Sequence, residues 1–141
     1  MIQTSQFKKE KAGLLLKDLE KALHRLVEAS EQPPTVFNQD STIQRFEFTF
    51  EAAWKLMKTI AELEGLDAPS PKRAIRQSAV LELINDPDKW FEFLDNRNLT
   101  VHTYKEEIAQ KVYNSAKEFI PYTEKLVEKI SNYLITDKPT N

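Results

Sequence analysis

Apolar residues recur along nearly the whole chain at three- and four-residue spacing, and no useful length of it alternates as a strand does. Phe7, Ala12, Leu15, Leu16, Leu19, Ala22, Leu23, Leu26 and Val27 form one stripe with Lys and Glu between them, which predicts a long amphipathic helix over residues 5–30. His24 falls beside that stripe and reads as a surface or boundary residue. Glu31 to Asn38 carries Pro33-Pro34 and reads as a connecting loop, because paired prolines do not continue a helix. A second helix is expected from a cap at Asp40 or Ser41 to Gly65. Its main stripe is Ile43, Phe46, Phe50, Ala53, Met57 and Ile60, while Phe48, Ala52, Leu56 and Leu63 fall roughly opposite. A helix apolar nearly all round is buried on two sides, so this one is the central helix of a bundle or also a subunit interface. The aromatic run through Trp54 reads as core. Arg45, Glu47, Glu51 and Lys55 share the remaining surface, with Glu51 and Lys55 in the favourable i,i+4 order.

Beyond the loop Leu66 to Pro69, Ser70-Pro71 caps a short helix running to about Leu83, whose basic edge of Lys72, Arg73 and Arg76 reads as a solvated face. Asp86-Pro87 repeats the cap and opens a helix with Trp90, Phe91, Phe93 and Leu94, ending at Arg97 or soon after. Asp86-Pro87-Asp88 matches the Asp-x-Asp pattern of magnesium-dependent nucleotidyl transfer in form only. No glycine-serine turn precedes it, and Asp is expected there as a cap. The last helix is expected from Thr103 to about Leu134, with Ile108, Val112, Ala116, Phe119, Leu126, Ile130 and Leu134 facing inward and a kink or break near Ile120 caused by Pro121. The tail from Thr136 is expected to be frayed and flexible. The sum is an all-α, up-and-down four-helix bundle with an additional short helix. It forms one domain over residues 1–141 with an ordered core at about 5–134.

Composition narrows the chemistry. A formal charge of -2 argues against general binding to nucleic acid or anionic membrane, although it leaves room for a local phosphate site. Cysteine is absent, which removes thiolate chemistry, and two histidines do not make a multi-histidine metal site, so no metal is expected in this chain. Two isolated glycines, Gly13 and Gly65, do not make a phosphate-cradling loop. No leader-like or membrane-spanning stretch is apparent, and a cytoplasmic location is expected.

Polar chemistry crowds into one stretch, Asp95 to Tyr104. Arg97 and His102 would stand about 140° apart on an uninterrupted helix. They cooperate only if the chain turns between them. Asn98, Thr100, Val101 and Thr103 are weak helix formers, and Thr103 with Glu106 has the spacing of a capping box. Arg97 is therefore expected to end one helix, with His102 just ahead of the next and Tyr104 in its first turn. His102 in that setting suits a neutral proton acceptor, and Arg97 offers a bidentate fork to a phosphate, the minimum for metal-free RNA cleavage by a neighbouring 2'-hydroxyl. Tyr104 could orient substrate or be modified. A purely structural arrangement instead has Arg97 paired with Asp95 or Glu92, His102 in a loop and Tyr104 packed on the bundle.

The run Arg45-Phe-Glu-Phe-Thr-Phe-Glu-Ala-Ala-Trp-Lys55, then Ser70-Pro-Lys-Arg, then Trp90 and Arg97-Asn-Leu-Thr-Val-His-Thr-Tyr104, resembles the nucleotidyltransferase substrate-binding protein family, a branch of the HEPN superfamily, over roughly residues 5–133. The resemblance implies a HEPN-like bundle that dimerises and pairs with a separately encoded minimal nucleotidyltransferase, as a heterotetramer, with ATP and Mg expected on that partner and no cofactor in this chain. It also implies that Arg97 and His102 are catalytic, in a ribonuclease site composed across two protomers, and that Tyr104 is an adenylylation target. Asn98, Arg45 and Lys55 are the candidate substrate-binding residues. Expected function is thus a toxin-like, metal-independent endoribonuclease acting on RNA and controlled at Tyr104. The rivals are a non-catalytic substrate-binding subunit of a two-component nucleotidyltransferase and a helical adaptor without activity.

Overall fold

A computed structural model describes residues 2–136, with side chains from residue 5 onward, so the expectation for the end of the tail lies outside the described residues. The chain folds as α1 (Ile2–Ser30), α2 (Val36–Leu63), α3 (Pro71–Val80), α4 (Pro87–Asn98), a 3-10 turn at Leu99–His102, and α5 (Glu106–Thr136). The architecture is all-α among the described residues, as expected. Helix α2 is its centre, packing on α1, α3, α4 and α5.

The core follows the predicted stripes. Ile43, Phe46, Phe50, Ala53, Met57 and Ile60 of α2 are buried, as are Ala12, Leu19, Leu23 and Leu26 of α1. Phe7 departs from its stripe and is 70% exposed, one turn beyond the first fully buried residue of α1. Trp54 is only half buried, with part of its surface against the core and part in solvent. His24 is exposed beside Glu28, and Lys72, Arg73 and Arg76 form a solvated edge.

Helix boundaries differ from expectation where a hydrogen bond closes a turn that hydrophobic spacing does not register. Helix α2 begins at Val36, because Thr35, and neither Asp40 nor Ser41, accepts the orphan amide of Asn38 at 3.2 Å. Val36 and Phe37 open the helix while remaining exposed, so they add nothing to the buried stripe. Helix α3 stops at Val80, three residues short of Leu83. Glu82 takes a left-handed conformation, φ 60°, and the Leu83 amide reaches back to the Ser78 carbonyl at 2.9 Å. Gly65, φ 76°, closes α2 the same way without a steric cost. Helix α5 runs unbroken through Pro121, so no break occurs there. Pro121 and Lys117 are both exposed, which leaves the freed carbonyl to water.

What positions the polar stretch is an aromatic cluster at the middle of the bundle. The Phe119 ring of α5 meets Phe46 at 5.2 Å, Trp90 at 5.3 Å and Phe93 at 5.0 Å between centroids, all edge-to-face. Phe50 lies 6.0 Å away and tilted. Such pairs add about 0.5–1.5 kcal/mol each beyond the area they bury. Through them α4 is fixed to both α2 and α5. Lys89 of α4 adds a 2.9 Å ion pair to Glu118 of α5, and that hydrogen bond holds the ammonium above its ordinary value.

Candidate functional site

Helix α4 delivers Arg97 in its last turn, and the chain then tightens into the 3-10 turn that the weak helix formers permit. Two threonines hold it. The Thr100 hydroxyl donates to the Arg97 carbonyl at 2.8 Å, and the Thr103 hydroxyl donates to the Thr100 carbonyl at 3.0 Å. Leu99 packs against the core while Val101 and His102 point into solvent. Thr103 therefore ends the 3-10 turn and does not cap α5, which opens at Glu106. Tyr104 lies ahead of that helix and not in its first turn.

The expected turn between Arg97 and His102 is present, and it sorts the site residues into two groups. Arg97 Nη2 donates to Glu51 Oε2 of α2 at 2.7 Å, and Nη1 donates to the side chain of Asn98 at 3.3 Å. Lys55 shares the same carboxylate, with its ammonium 3.9 Å from Glu51 Oε1. Arg97 is thus paired with Glu51 and with neither Asp95 nor Glu92. Its Nε is buried and has no partner among the described residues. The second group is the exposed pair of His102 and Tyr104, whose rings meet edge-on at 6.1 Å. Tyr104 is 77% exposed and not packed on the bundle. No direct bond joins the Arg97 and His102 side chains among the described residues.

Arg45 joins neither group. It sits about 120° round α2 from Glu51, with its guanidinium 5.8 Å above the Phe48 ring. Two residues to which the sequence assigned no part in the site complete the setting. Glu51 supplies the counter-charge from 46 positions away, and Asn96 donates to Ser115 of α5 at 2.9 Å, which pins the turn of α4 that carries Arg97. Neither pairing has a local signal, because each spans two helices. Asp86 is the cap of α4, accepting from the Lys89 amide at 3.2 Å.

A groove of about 670 Å³ lies beside the exposed pair, between the first half of α2 and the 3-10 turn, with Asp40, Gln44 and Glu47 facing Thr100, Thr103 and Tyr104. The arrangement offers a solvent-facing imidazole and phenol, with a guanidinium at the base of the same turn.

The family model for nucleotidyltransferase substrate binding protein like chains matches residues 14–132. The chain belongs to that family. A Haemophilus influenzae protein named probable ribonuclease HepT is 33% identical over 93 residues, which span 62% of this chain and 64% of that relative. The match therefore reaches just under two thirds of the relative's length. A crystal structure from Thermus thermophilus is 36% identical with TM-score 0.70, over 82% of this chain and 98% of that one. A Haemophilus influenzae structure described as the substrate-binding domain of a nucleotidyltransferase is 27% identical with TM-score 0.63, over 87% and 98% of the two chains. A Shewanella oneidensis HEPN toxin, tri-AMPylated and in complex with its MNT antitoxin, shares the fold at TM-score 0.70 and 18% identity, over 86% and 96%.

Proposed function

We propose that this chain is a HEPN-type subunit that pairs with a separately encoded minimal nucleotidyltransferase and acts as a metal-independent endoribonuclease, with Tyr104 as the residue through which the partner controls it. The observation that carries the reading is the polar stretch itself: the exposed rings of His102 and Tyr104 meet edge-on at the end of, and just beyond, a 3-10 turn that the Thr100 hydroxyl ties to the Arg97 carbonyl. In the reaction the His102 imidazole accepts the proton of a ribose 2'-hydroxyl and the 2'-oxygen bonds to the adjacent phosphorus. The bond to the 5'-oxygen breaks, and that oxygen takes up a proton. Arg97 stabilises the charge that grows on the phosphoryl oxygens. None of these steps uses a metal. The names of the relatives, a probable ribonuclease and an AMPylated HEPN toxin with its antitoxin, support the reading. An adenylyl group on the Tyr104 oxygen would stand against the His102 ring and block the approach of RNA, with ATP and Mg bound by the partner. The pair would assemble as a heterotetramer around a homodimer of this chain.

Expression of His102→Ala beside the parent tests the nuclease: the variant is expected to lose growth inhibition and RNA turnover, and equal values for the two proteins refute it. For Tyr104, intact mass after co-expression with the partner is expected to rise by adenylyl units in the parent and not in Tyr104→Phe.

One observation favours the rival reading of a non-catalytic substrate-binding subunit. Glu51 already neutralises Arg97, as it would in a protein that only presents a ligand to the nucleotidyltransferase. An RNA-inert parent that still binds the partner would decide for it.

A further inference from the structure

One face of α2 is polar over nearly its whole length, while Ile43, Phe46, Phe50, Ala53, Met57 and Ile60 of the same helix are buried. Asp40, Gln44, Glu47, Glu51, Lys55, Lys58 and Glu62 recur at three- and four-residue steps, which places them on a single stripe. The stripe is divided by charge. Asp40 and Glu47 occupy its first half, Glu51 receives Arg97 at its middle, and Lys55 and Lys58 follow. At the second half α1 closes in and a groove of about 310 Å³ forms, lined by Lys11, Leu15, Trp54, Lys55, Lys58 and Glu62. Three lysines face one glutamate there, in a chain whose net charge is -2. Neither Lys11 nor Lys58 is drawn into an ion pair among the described residues, and the half-exposed indole of Trp54 lies between them and the core. Glu51 and Lys58 are separated by a rise of about 10 Å along the helix, which about three stacked nucleotides would span at about 3.4 Å each.

We infer that the groove between α1 and α2, formed by Lys11, Trp54, Lys55 and Lys58, holds the single-stranded RNA that flanks the scissile phosphate, its backbone on the lysines and a base on the Trp54 face. The identity of the strand rests on the ribonuclease reading. A cationic groove with one aromatic platform is the combination that binds single strands without reading their sequence. The acidic half of the stripe repels the same backbone, so the strand leaves Arg97 in one direction only. The cleaved phosphate is thereby gripped from one flank.

The test uses the full chain carrying His102→Ala, so that binding is read apart from cleavage, and a dye-labelled single-stranded RNA oligonucleotide followed by anisotropy. Lys11→Gln and Lys58→Gln are each expected to weaken binding and to lower the slope of log affinity against log salt by about 0.7. Lys125→Gln and Lys129→Gln, exposed on α5 away from the groove, are expected to leave both unchanged. The parent's tryptophan fluorescence should be quenched by RNA, and Trp54→Phe should abolish the quench, since Trp90 is buried. Trimming the oligonucleotide from one side of its cleavage point should cost about tenfold in affinity, and from the other side almost nothing. If the histidine-intact chain cleaves RNA while the Lys11 and Lys58 variants bind like the parent, the groove assignment is wrong and the nuclease stands. If the oligonucleotide binds through these lysines but no RNA is cut, the groove stands and the nuclease fails. Absence of binding by the parent, including through burial of the groove between copies of the chain, overturns the assignment.

Discussion

Glu51 is the residue on which the chemistry of Arg97 turns. Its carboxylate holds one arm of the guanidinium at 2.7 Å, about a third of each side chain remains in solvent, and an arriving phosphate would have to share or displace that contact. A half-exposed pair of this kind is worth about 1 kcal/mol, so it orients Arg97 more than it stabilises the fold. Glu51→Gln keeps an acceptor while removing the competing charge. It is expected to cost no more than about 1 kcal/mol in urea unfolding and to tighten the binding of uncut RNA in the His102→Ala background. Unchanged affinity would mean that Glu51 does not compete with phosphate. The residue types of the candidate site were legible in the sequence, because Arg97, Asn98, His102 and Tyr104 lie within one short stretch of weak helix formers. The partner of Arg97 was not, because Glu51 reads locally as half of an ordinary i,i+4 pair with Lys55.

At the scale of elements, the 3-10 turn is set by local chemistry and its location by long-range packing. Thr100 and Thr103 tighten the chain through their own hydroxyls, whereas the direction in which the turn faces depends on α4 being fixed against α2 and α5. Phe119 is the common member of that contact, meeting rings from both α2 and α4. Phe119→Ala is expected to destabilise the protein by about 3–5 kcal/mol and to loosen the turn. Urea midpoint and amide exchange at Leu99 to His102 would both report it, and a fully stable variant would show that α4 is held by other contacts. Periodicity located every helix. It misplaced the start of α2, the end of α3 and the start of α5 because those ends are decided by hydrogen bonds that the Thr35 hydroxyl and the Ser78 and Lys105 carbonyls accept, which leave no trace in the hydrophobic pattern.

For the whole molecule, His102 and Tyr104 face outward while Arg97 lies against α2, so one protomer presents the parts of a site without joining them. A second copy completing it would bring one chain's Arg97 to the other's His102. Mixing inactive Arg97→Ala and His102→Ala chains should then restore a fraction of RNA turnover, because mixed dimers hold one intact pair; no recovery after confirmed subunit exchange would put the whole site in a single chain. No helix among the described residues is long and apolar enough to cross a membrane. The sequence by itself determined the helical bundle, the central place of α2, the break after Arg97 and the identity of its polar residues, since all of these are written in spacing and propensity over a few turns. Only the tertiary structure decided that Arg97 is held by Glu51 and that Lys11 meets Lys58 and Trp54 across a groove. Each of those facts concerns residues from different helices, and packing in three dimensions alone brings them together.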